Sequence, residues 1–477
     1  MKQLNSSRSS GRSGRAQRVT AGLLPETSIR DVFGPPSPLS MRMRHFHTPG
    51  ISIAVINDFQ VEWAKGYGLA DAKAQTHVTT HTCFQAASIS KLVTAVAVMR
   101  LAQDGVIDLD QDVNRYLTSW QIPAKDNWQP KVTIRQILSH SAGLSVHGFP
   151  GYHASVALPT LPQILRGDAP ANTPTVEVTV LPGLQFRYSG GGITVLQLLL
   201  TEVLRRPFPA LMQDLVLGPL HMRDSTFGHP LPRAWRSRVA SAHPWKGIPL
   251  TGRFHTYPEM AAAGLWITAS DLAALGASLL QAFNDTPTRL NLRRDTLEQM
   301  MQPQLPDQKG TKGEHAGLGL FCNDALEGCP FWHAGDNEGF TAIFWAYKDL
   351  GKGAVVMLNS NEGAPLLGEV LRAIAVEYDW PNFIPKPRPV TQLYRPEAFV
   401  GEYVTSEGLR LSLMLTNGRL LLQYLQQDPI PLVPTSTDVF FASGMNVTLS
   451  FERAGRRVVA LTLTQDGSQF RARKQRA

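Results

Sequence analysis

Apolar residues between Leu92 and Leu101 cover every side of a helix rather than one stripe, which predicts a helix buried in a protein core. The helix would begin near Ser88 and end at Gly105, because a glycine directly after the last apolar turn is a common stop signal. Residues three apart share one helix face, so Ser88 and Lys91 are expected to lie within side-chain reach of each other.

Two pairs of apolar, β-branched runs predict hairpins at the two ends of the same region. Ile51 to Asn57 and Gln60 to Lys65 form the first pair, and Phe340 to Tyr347 and Gly353 to Leu358 form the second. A helix over 366–378 follows. Because the signals between the pairs are mostly helical, the pattern predicts an antiparallel sheet flanked by helices with a largely helical insertion. The fold class is therefore α/β, of the α+β kind.

Three segments between the hairpins carry helix start signals. Two have the capping-box spacing, in which a Thr precedes a Gln by three residues, and one has a lone N-cap Ser. The positions are Thr133 with Gln136, Thr194 with Gln197, and Ser270 ahead of a helix over 271–283.

The pattern of predicted elements changes after residue 380. Four prolines between 381 and 389 predict a stiff linker, which we place at 381–391. Beyond it, short apolar strands alternate with turn signals such as Asn417-Gly418, which is the spacing of a small antiparallel β-barrel or sandwich. The predicted strands are 409–415, 420–424, 439–441, 447–451, 458–463 and 469–473. The predicted organisation is a disordered basic tail (1–35), a main domain (36–380), the linker and a separate β domain (392–477).

The net charge of +8 lies in the tails rather than in the body. Five basic residues precede residue 20 and four follow residue 470, and subtracting these nine charges leaves residues 21–470 at about −1. A nucleic-acid-binding surface is therefore not expected. No apolar stretch approaches the roughly 18 residues of a membrane span, and the Ser- and Arg-rich N-terminus has no apolar segment typical of a secretory signal. We expect a cytoplasmic protein; it would be periplasmic or extracellular if the true start lies elsewhere, and organellar if the tail is a transit peptide.

Three cysteines exclude a disulfide framework and match no zinc-binding spacing. Cys322 and Cys329 flank a predicted hairpin loop and could pair in an oxidising compartment. Unpaired, buried thiols are the alternative that we favour.

A serine hydroxyl becomes a nucleophile when a base takes its proton, and a partly desolvated lysine can serve as that base. Ser88-x-x-Lys91 fits this arrangement, and the helix N-terminus adds N–H donors where negative charge would develop. The Ser-x-x-Lys spacing alone is a weak signal. Two further segments accompany it: Phe186 to Gly192, a Gly-rich loop that contains Tyr188, and His333 to Asp336.

Other motif-like segments carry less weight. Ser141 lies in Ser-His-Ser-Ala-Gly, but a nucleophile elbow needs a glycine where Ser139 stands and a strand ahead of it. The aspartates at 108–112 begin like a calcium loop that lacks its glycine and its bidentate glutamate. The glycines at 190–192 lack the Lys-Ser/Thr of a phosphate loop. No metal or cofactor is expected.

Ser88-x-x-Lys91, Tyr188-Ser189-Gly190 and His333-Ala334-Gly335 occur in this order at separations that fit three known motifs. On these residues the chain resembles the serine β-lactamase and penicillin-binding-protein superfamily, in its branch of class C β-lactamases, esterases and D-aminopeptidases. The similarity covers roughly residues 40–380. The C-terminal β domain resembles the lipocalin-like module that often follows such hydrolase domains.

The resemblance implies a catalytic role for four residues. Ser88 would be the acylated nucleophile, Lys91 its proton acceptor, and Tyr188 the general acid/base for the leaving group and the incoming water. The backbone N–H groups of Ser88 and Asp336 would form the oxyanion hole.

The resemblance also places Gly190, His333 and Gly335 in the substrate-binding site, where two departures from the β-lactamase motifs occur. Tyr-x-Asn becomes Tyr-x-Gly at Gly190, which removes an amide that helps to hold the substrate. Lys-Thr-Gly becomes His-Ala-Gly at His333, which would be mostly neutral near pH 7 on an unperturbed pKa of about 6.5. Both changes favour an esterase or a peptidase for small or D-configured substrates over a penicillinase.

The leading hypothesis is a serine hydrolase that forms an acyl-enzyme on Ser88, of esterase or D-amino-acid peptidase type. Its substrate would be a small-molecule ester, amide or peptide. A β-lactamase or DD-carboxypeptidase is the nearest alternative. From another class comes a penicillin-binding sensor or binding protein that acylates without turnover.

Overall fold

The computed structural model describes residues 14–24, 27–29, 36–305, 313–383, 386–388, 395–424, 429–442, 447–465 and 468–475. These described residues form two compact units: those within 14–17 and 40–367 make up the first, and those within 18–39 and 368–475 make up the second. Of the predicted basic tail, residues 1–13, 25–26 and 30–35 lie outside the described part, and residues 14–21 form helix α1. Of the predicted linker, 384–385 and 389–391 lie outside it.

Helices and strands are numbered along the chain. Helices α2 to α11 are Leu39–His45, Ile89–Gln103, Ile134–Leu138, Leu161–Arg166, Gly190–Leu204, Phe208–Met212, Met260–Ala263, Ala269–Phe283, Arg294–Met301 and Ala364–Glu377. Strands β1 to β12 are Thr27–Ile29, Gly50–Asn57, Gln60–Asp71, Thr76–His77, Phe84–Gln85, Trp266–Ile267, Glu314–Ala316, Phe321–Asn323, Pro330–Asn337, Phe340–Tyr347, Lys352–Leu358 and Lys386–Arg388. Strands β13 to β20 are Gly401–Thr405, Arg410–Thr416, Arg419–Tyr424, Ile430–Pro434, Val439–Ala442, Val447–Ala454, Arg457–Gln465 and Ser468–Lys474.

An antiparallel sheet forms the centre of the first unit. Its strands in the described residues follow the order β4-β3-β2-β11-β10-β9-β8-β7. The predicted hairpins β2–β3 and β10–β11 both form. Strand β2 from the start of the region pairs with β11 from its end, with Ile53 opposite Val356, and α9 packs on both strands. The predicted fold class, a sheet built from both ends of the region and flanked by helices, is confirmed.

Helix α3 is buried on all sides, as its sequence predicts. Leu92, Val96 and Met99 have no exposed surface, and the helix packs against α8, α10 and strand β9. Ser88 stands at its N-cap position, and Gly105 follows its end with a positive φ of 71°. The nucleophile candidate is therefore attached to the most deeply packed helix of the first unit.

The N-cap of helix α6 lies five residues before the one that the capping-box spacing predicts, so the predicted start at Thr194 and Gln197 is wrong. Ser189 is the cap, and its side-chain oxygen accepts the N–H of Gly192. Thr194 lies inside the helix, where its hydroxyl donates to the carbonyl of Gly190 at 3.1 Å. The spacing of a capping box recurs within helices, and here a neighbouring loop satisfies the first N–H groups instead.

Helix α9 also begins before its predicted start. Thr268, not Ser270, is the N-cap, and its hydroxyl accepts the N–H of Asp271 at 3.1 Å. The predicted capping box of Thr133 and Gln136 is present at the start of α4. The cap of α9 was misplaced because the hydroxyl of Thr268, two residues before Ser270, accepts an N–H of the first turn instead.

Strands β13 to β20 close into an antiparallel barrel in the second unit, which confirms the predicted β-barrel. Aromatic rings fill its centre: Phe399 lies 4.8 Å from Phe440 and 4.8 Å from Phe451, centroid to centroid. Strands β13 and β16 were not predicted, because a glycine begins the first and two prolines interrupt the apolar alternation of the second.

The three cysteines are unpaired thiols: Cys83 and Cys322 are buried and Cys329 is half-buried. Burial raises the pKa of Cys83 to about 12, so that side chain is a thiol at neutral pH. Among the described residues, no helix has the length and hydropathy needed to cross a bilayer.

We expect Thr268→Val to destabilise the first unit by about 1 kcal/mol, because the substitution keeps the shape of the side chain but leaves the N–H of Asp271 without its acceptor. Chemical denaturation of both proteins measures the difference. Ser270→Ala is the matched control and should leave the free energy of unfolding within about 0.5 kcal/mol of the wild type. A larger loss in the control than in Thr268→Val would contradict the observed cap.

Candidate active site

Ser88 lies at the N-terminus of α3 with its side chain half-buried. The residue before it, Ala87, has a left-handed φ of 48°, a conformation that side-chain-bearing residues rarely adopt outside tight turns. Among the described residues, the backbone N–H of Ser88 has no hydrogen-bond acceptor. The sharp turn thus presents both the hydroxyl and a free N–H at the head of a buried helix.

Lys91 is 2% exposed, and its amine lies beside the serine. Its Nζ is 2.9 Å from Ser88 Oγ and 2.8 Å from the carbonyl oxygen of Ala262. The same nitrogen lies 5.1 Å from the ring centroid of Tyr188. Lys91 therefore brings the first and second motifs together, as the sequence predicts.

Tyr188 lies half-buried immediately before the Ser189 cap of α6. Its ring packs between two imidazoles, with centroids 4.2 Å from His140 and 4.9 Å from His147. His140 is buried and accepts the N–H of Ser189 at Nδ1. Burial, and then the charge of Lys91, lowers the pKa of His140 well below its usual value, so the ring beside the phenol is neutral at physiological pH.

The loop over 145–149 covers the start of α6. The N–H of Gly190 donates to the carbonyl of His147, and the N–H of Gly191 donates to that of Val146, both at 3.0 Å. A Cβ at Gly190 would lie 2.8 Å from the ring of Phe149 and 3.1 Å from the His147 carbonyl. Gly190, a predicted substrate-binding residue, is therefore buried beneath Phe149, whose ring occupies the space that a larger side chain would need.

Strand β9 carries the third motif past the residues before the nucleophile. A Cβ at Gly335 would lie 2.2 Å from the carbonyl oxygen of Ala86, so only glycine allows this approach of the two backbones. The next residue, Asp336, is the predicted second oxyanion donor. The missing side chain at 335 thus brings that part of the strand close to Ser88.

Asp336 and the turn after it are held by one amide side chain. Asn361 Nδ2 donates to the carboxylate of Asp336 at 2.6 Å and to the carbonyl of Asn337 at 2.9 Å, and its oxygen accepts the N–H of Gly339 at 2.6 Å. Partial desolvation raises the pKa of Asp336, and the bond from Asn361 opposes that rise. Asn361 therefore fixes the strand that carries the predicted oxyanion donor.

His333 is buried on the same strand, facing the lysine. Its Nδ1 lies 2.7 Å from the carbonyl of Ala334, which identifies Nδ1 as the protonated nitrogen. Its Nε2 is buried without a hydrogen-bond partner in the described residues. Burial, and then the charge of Lys91, lowers the pKa of His333 to about 3, so the ring carries no charge at neutral pH.

A short segment around α8 forms the wall behind the lysine. Besides the bond from Lys91, Thr94 Oγ1 donates to the carbonyl of Ala261 at 3.1 Å, and Ser90 Oγ accepts the N–H of Leu265 at 3.1 Å. From the other side, Gln197 Oε1 of α6 accepts the N–H of Ala261. The segment is therefore fixed to both α3 and α6 by buried polar side chains.

Glu259, the residue before α8, is fully buried. Among the described residues, neither carboxyl oxygen has a hydrogen-bond partner. Burial raises the pKa of Glu259 to about 8, so the group is largely protonated at neutral pH. Sequence reasoning missed this residue, although an acid directly ahead of the apolar run 260–267 was a visible signal.

The hydroxyl of the alternative nucleophile Ser141 lies beside Ser139 and the carbonyl of Gln136. The residue is 2% exposed, its Oγ is 2.9 Å from Ser139 Oγ, and it follows helix α4 rather than a strand. Among the described residues, no three His, Cys, Asp or Glu side chains lie close enough together to hold a metal ion.

Similarity to known proteins identifies the family of this chain. The family model named Beta-lactamase matches residues 40–378. The chain belongs to the beta-lactamase family.

The chain is similar to two curated proteins of known name, in each case over only part of that protein's length. Protein flp of Staphylococcus aureus (strain N315) is 24% identical over 336 residues, which cover 70% of this chain and 64% of that protein. Esterase EstB of Burkholderia gladioli is 30% identical over 196 residues, which cover 39% of this chain and 48% of EstB. The chain thus spans less than two-thirds of the length of either relative.

The structure of this chain is similar to a solved structure of another protein. The octameric penicillin-binding protein homologue from Pyrococcus abyssi has a TM-score of 0.64 at 21% identity, over 91% of this chain and 98% of that one. At such identity the likeness concerns the fold alone. The predicted membership of the β-lactamase and penicillin-binding-protein superfamily is confirmed, whereas the catalytic roles of Ser88, Lys91, Tyr188 and Asp336 stay predictions.

We expect Glu259→Gln to stabilise the first unit at alkaline pH. Because the folded-state pKa of Glu259 is about 8 and its ordinary value is 4.5, the stability gained from protonation is complete below pH 4.5 and is lost as the pH rises through 8. Glutamine removes this loss. The variant should match the wild type within about 1 kcal/mol at pH 5 and exceed it by on the order of a few kcal/mol at pH 9, measured by urea unfolding.

The side chain of Glu298, on α10, is 43% exposed and pairs with Arg294, and an ion pair at such exposure contributes little to stability. Glu298→Gln is therefore the control for this comparison and should follow the wild-type pH dependence. Parallel stability curves for the wild type and Glu259→Gln between pH 5 and pH 9 would show that Glu259 is ionised or solvated in the folded protein.

Proposed function

We propose that the chain is a serine hydrolase of esterase type that forms an acyl-enzyme on Ser88. The observation that carries the proposal is the 2.9 Å contact between Lys91 Nζ and Ser88 Oγ. At this distance the amine can take the hydroxyl proton as the oxygen attacks a carbonyl carbon. The similarity to an esterase supports an ester as the substrate.

Tyr188 completes the proton path in this proposal. The attack forms a bond from Ser88 Oγ to the carbonyl carbon and moves the serine proton to Lys91. The phenol then gives its proton to the leaving oxygen as the carbon–oxygen bond breaks, and the lysine restores it. In deacylation the same groups take a proton from water and return one to Ser88. Lys91 Nζ lies 5.1 Å from the centroid of the Tyr188 ring, which supports a place for Tyr188 beside the amine.

The oxyanion of the tetrahedral intermediate would bind to the N–H groups of Ser88 and Asp336. Two observations support the assignment: the Ser88 N–H has no acceptor in the described residues, and Gly335 brings β9 within contact of Ala86. Backbone donors held in place before the reaction stabilise the developing charge without reorganisation. The three bonds of Asn361 would keep the second donor in place.

An ester fits the substrate side of the site better than a β-lactam. The ring of Phe149 fills the space beside Gly190 that an amide-bearing side chain would occupy. The uncharged, buried His333 offers no cation for a substrate carboxylate. Both features support a substrate without a carboxylate next to the reacting carbonyl.

We expect a fluorophosphonate probe to label the wild type and to leave Ser88→Ala unlabelled, because the probe reacts only with an activated hydroxyl. Gel fluorescence and mass spectrometry of the labelled peptide measure this. Ser141→Ala is the matched control and should label like the wild type. Equal labelling of the wild type and Ser88→Ala would exclude Ser88 as the nucleophile.

Purified protein should turn over short-chain p-nitrophenyl esters at least about 100-fold faster, in kcat/KM, than nitrocefin, since the site lacks an anchor for the β-lactam carboxylate. A panel that adds D-aminoacyl amides tests the peptidase alternative. Faster turnover of nitrocefin would favour a β-lactamase. A stable acyl adduct with a β-lactam and no turnover of any ester would favour the binding-protein alternative.

A further inference from the structure

Three large apolar side chains are exposed in the loop that leads into Tyr188. Leu181 is 59% exposed, Leu184 is 65% exposed and Phe186 is 42% exposed. Single exposed apolar residues are ordinary, but three within six residues, directly before a proposed catalytic residue, indicate a surface that can bind apolar ligands.

The loop over 181–187 has a fixed shape, because its backbone is bound at both ends to the segment under Tyr188. The N–H of Gly183 donates to the carbonyl of Ser141 at 2.8 Å, and the N–H of Arg187 donates to that of His140 at 2.7 Å. Within the loop, the N–H of Leu184 donates to the carbonyl of Leu181 at 3.1 Å. The apolar side chains are therefore held at the surface by a hydrogen-bonded turn.

Aromatic rings connect this loop to both motifs of the site. Phe186 lies 6.0 Å from the ring of His140, which packs on Tyr188, and 6.3 Å from the ring of Phe321. Phe321 in turn lies 5.6 Å from the ring of His333. We call Leu181, Leu184, Phe186 and Phe321 the apolar strip. Phe186 and Phe321 link the second motif to the third, and Leu181 and Leu184 lie in the turn that precedes Phe186.

The site offers few polar or charged side chains that could bind a substrate on the side where the apolar strip lies. The space at Gly190 is filled by Phe149, and His333 is buried and uncharged. A substrate that lies along the strip would gain binding free energy by removing apolar surface from water, without needing a charge or an amide.

We infer that the apolar strip binds the acyl chain of the ester substrate. The protein would then act on esters of medium-length apolar acids rather than on acetyl esters. This inference rests on the proposed function and names its substrate class. Full burial of a methylene increases affinity about fourfold. An acyl chain that the strip covers on one side only should gain about twofold in affinity for each methylene.

The test compares kcat/KM for p-nitrophenyl acetate, butyrate, hexanoate and octanoate, each below its micelle concentration. In the wild type we expect kcat/KM to rise about twofold for each methylene. Leu184→Glu should reduce the octanoate value about tenfold or more and leave the acetate value within about twofold, because the acetyl group does not reach the strip.

Val106→Glu is the matched control: Val106 is 43% exposed and follows the far end of α3, about 20 Å from Ser88 along a 15-residue helix. It should keep the wild-type chain-length profile. A flat profile in the wild type, or an unchanged profile in Leu184→Glu, would overturn the inference and leave the esterase proposal intact.

A binding measurement separates the two proposals. Ser88→Ala cannot form the acyl-enzyme, so calorimetric titration with the octanoate and acetate esters reports binding alone. We expect the octanoate ester to bind Ser88→Ala at least about tenfold more tightly than the acetate ester, and this preference to be lost in Ser88→Ala/Leu184→Glu. If the wild type cleaves no ester, the esterase proposal fails; equal affinities for the two esters would then overturn the strip as well.

Discussion

The site depends on holding one lysine amine inside the protein with a hydroxyl and a carbonyl as its partners. Burying an amine is costly unless hydrogen-bond partners replace the water that it loses, so those partners must be held in place. The carbonyl of Ala262 is held in place by the neighbours of Lys91 on α3, because Ser90 and Thr94 bind the same short segment. Burial of α3 therefore determines where the amine points, and it places the hydroxyl of Ser88 within hydrogen-bond distance of the amine.

Elements whose pattern reflects their own burial could be predicted from the sequence. The apolar runs of α3, β2 and β10 are direct consequences of their burial, so all three elements were predicted at nearly the right residues. The start of α6 was not, because its first N–H groups donate to carbonyls of the loop at 146–147. A contact across more than 40 residues leaves no trace in the spacing of Thr194 and Gln197.

The same limit applies to the site. Ser88, Lys91 and Tyr188 could be identified because their types and order match known motifs. Phe149 could not, since consecutive glycines indicate that something approaches closely but not which side chain does so. The burial of His333 beside Lys91 likewise depends on the packing of β9 against α3; from sequence alone its pKa could only be set at the ordinary value.

The proposed proton path and the proposed substrate preference are linked through residue 333. In the proposed mechanism Lys91 becomes an ammonium when it takes the proton of Ser88. A cation at position 333 would lie near that ammonium, and each charge would disfavour the other in a buried setting. The neutral imidazole removes that repulsion together with any attraction for a carboxylate. A substrate must then be held by other means, and apolar surface supplies about 25 cal/mol for each Å² removed from water. The change at the third motif and the exposed apolar side chains of the loop before Tyr188 thus favour the same kind of substrate from two independent parts of the chain.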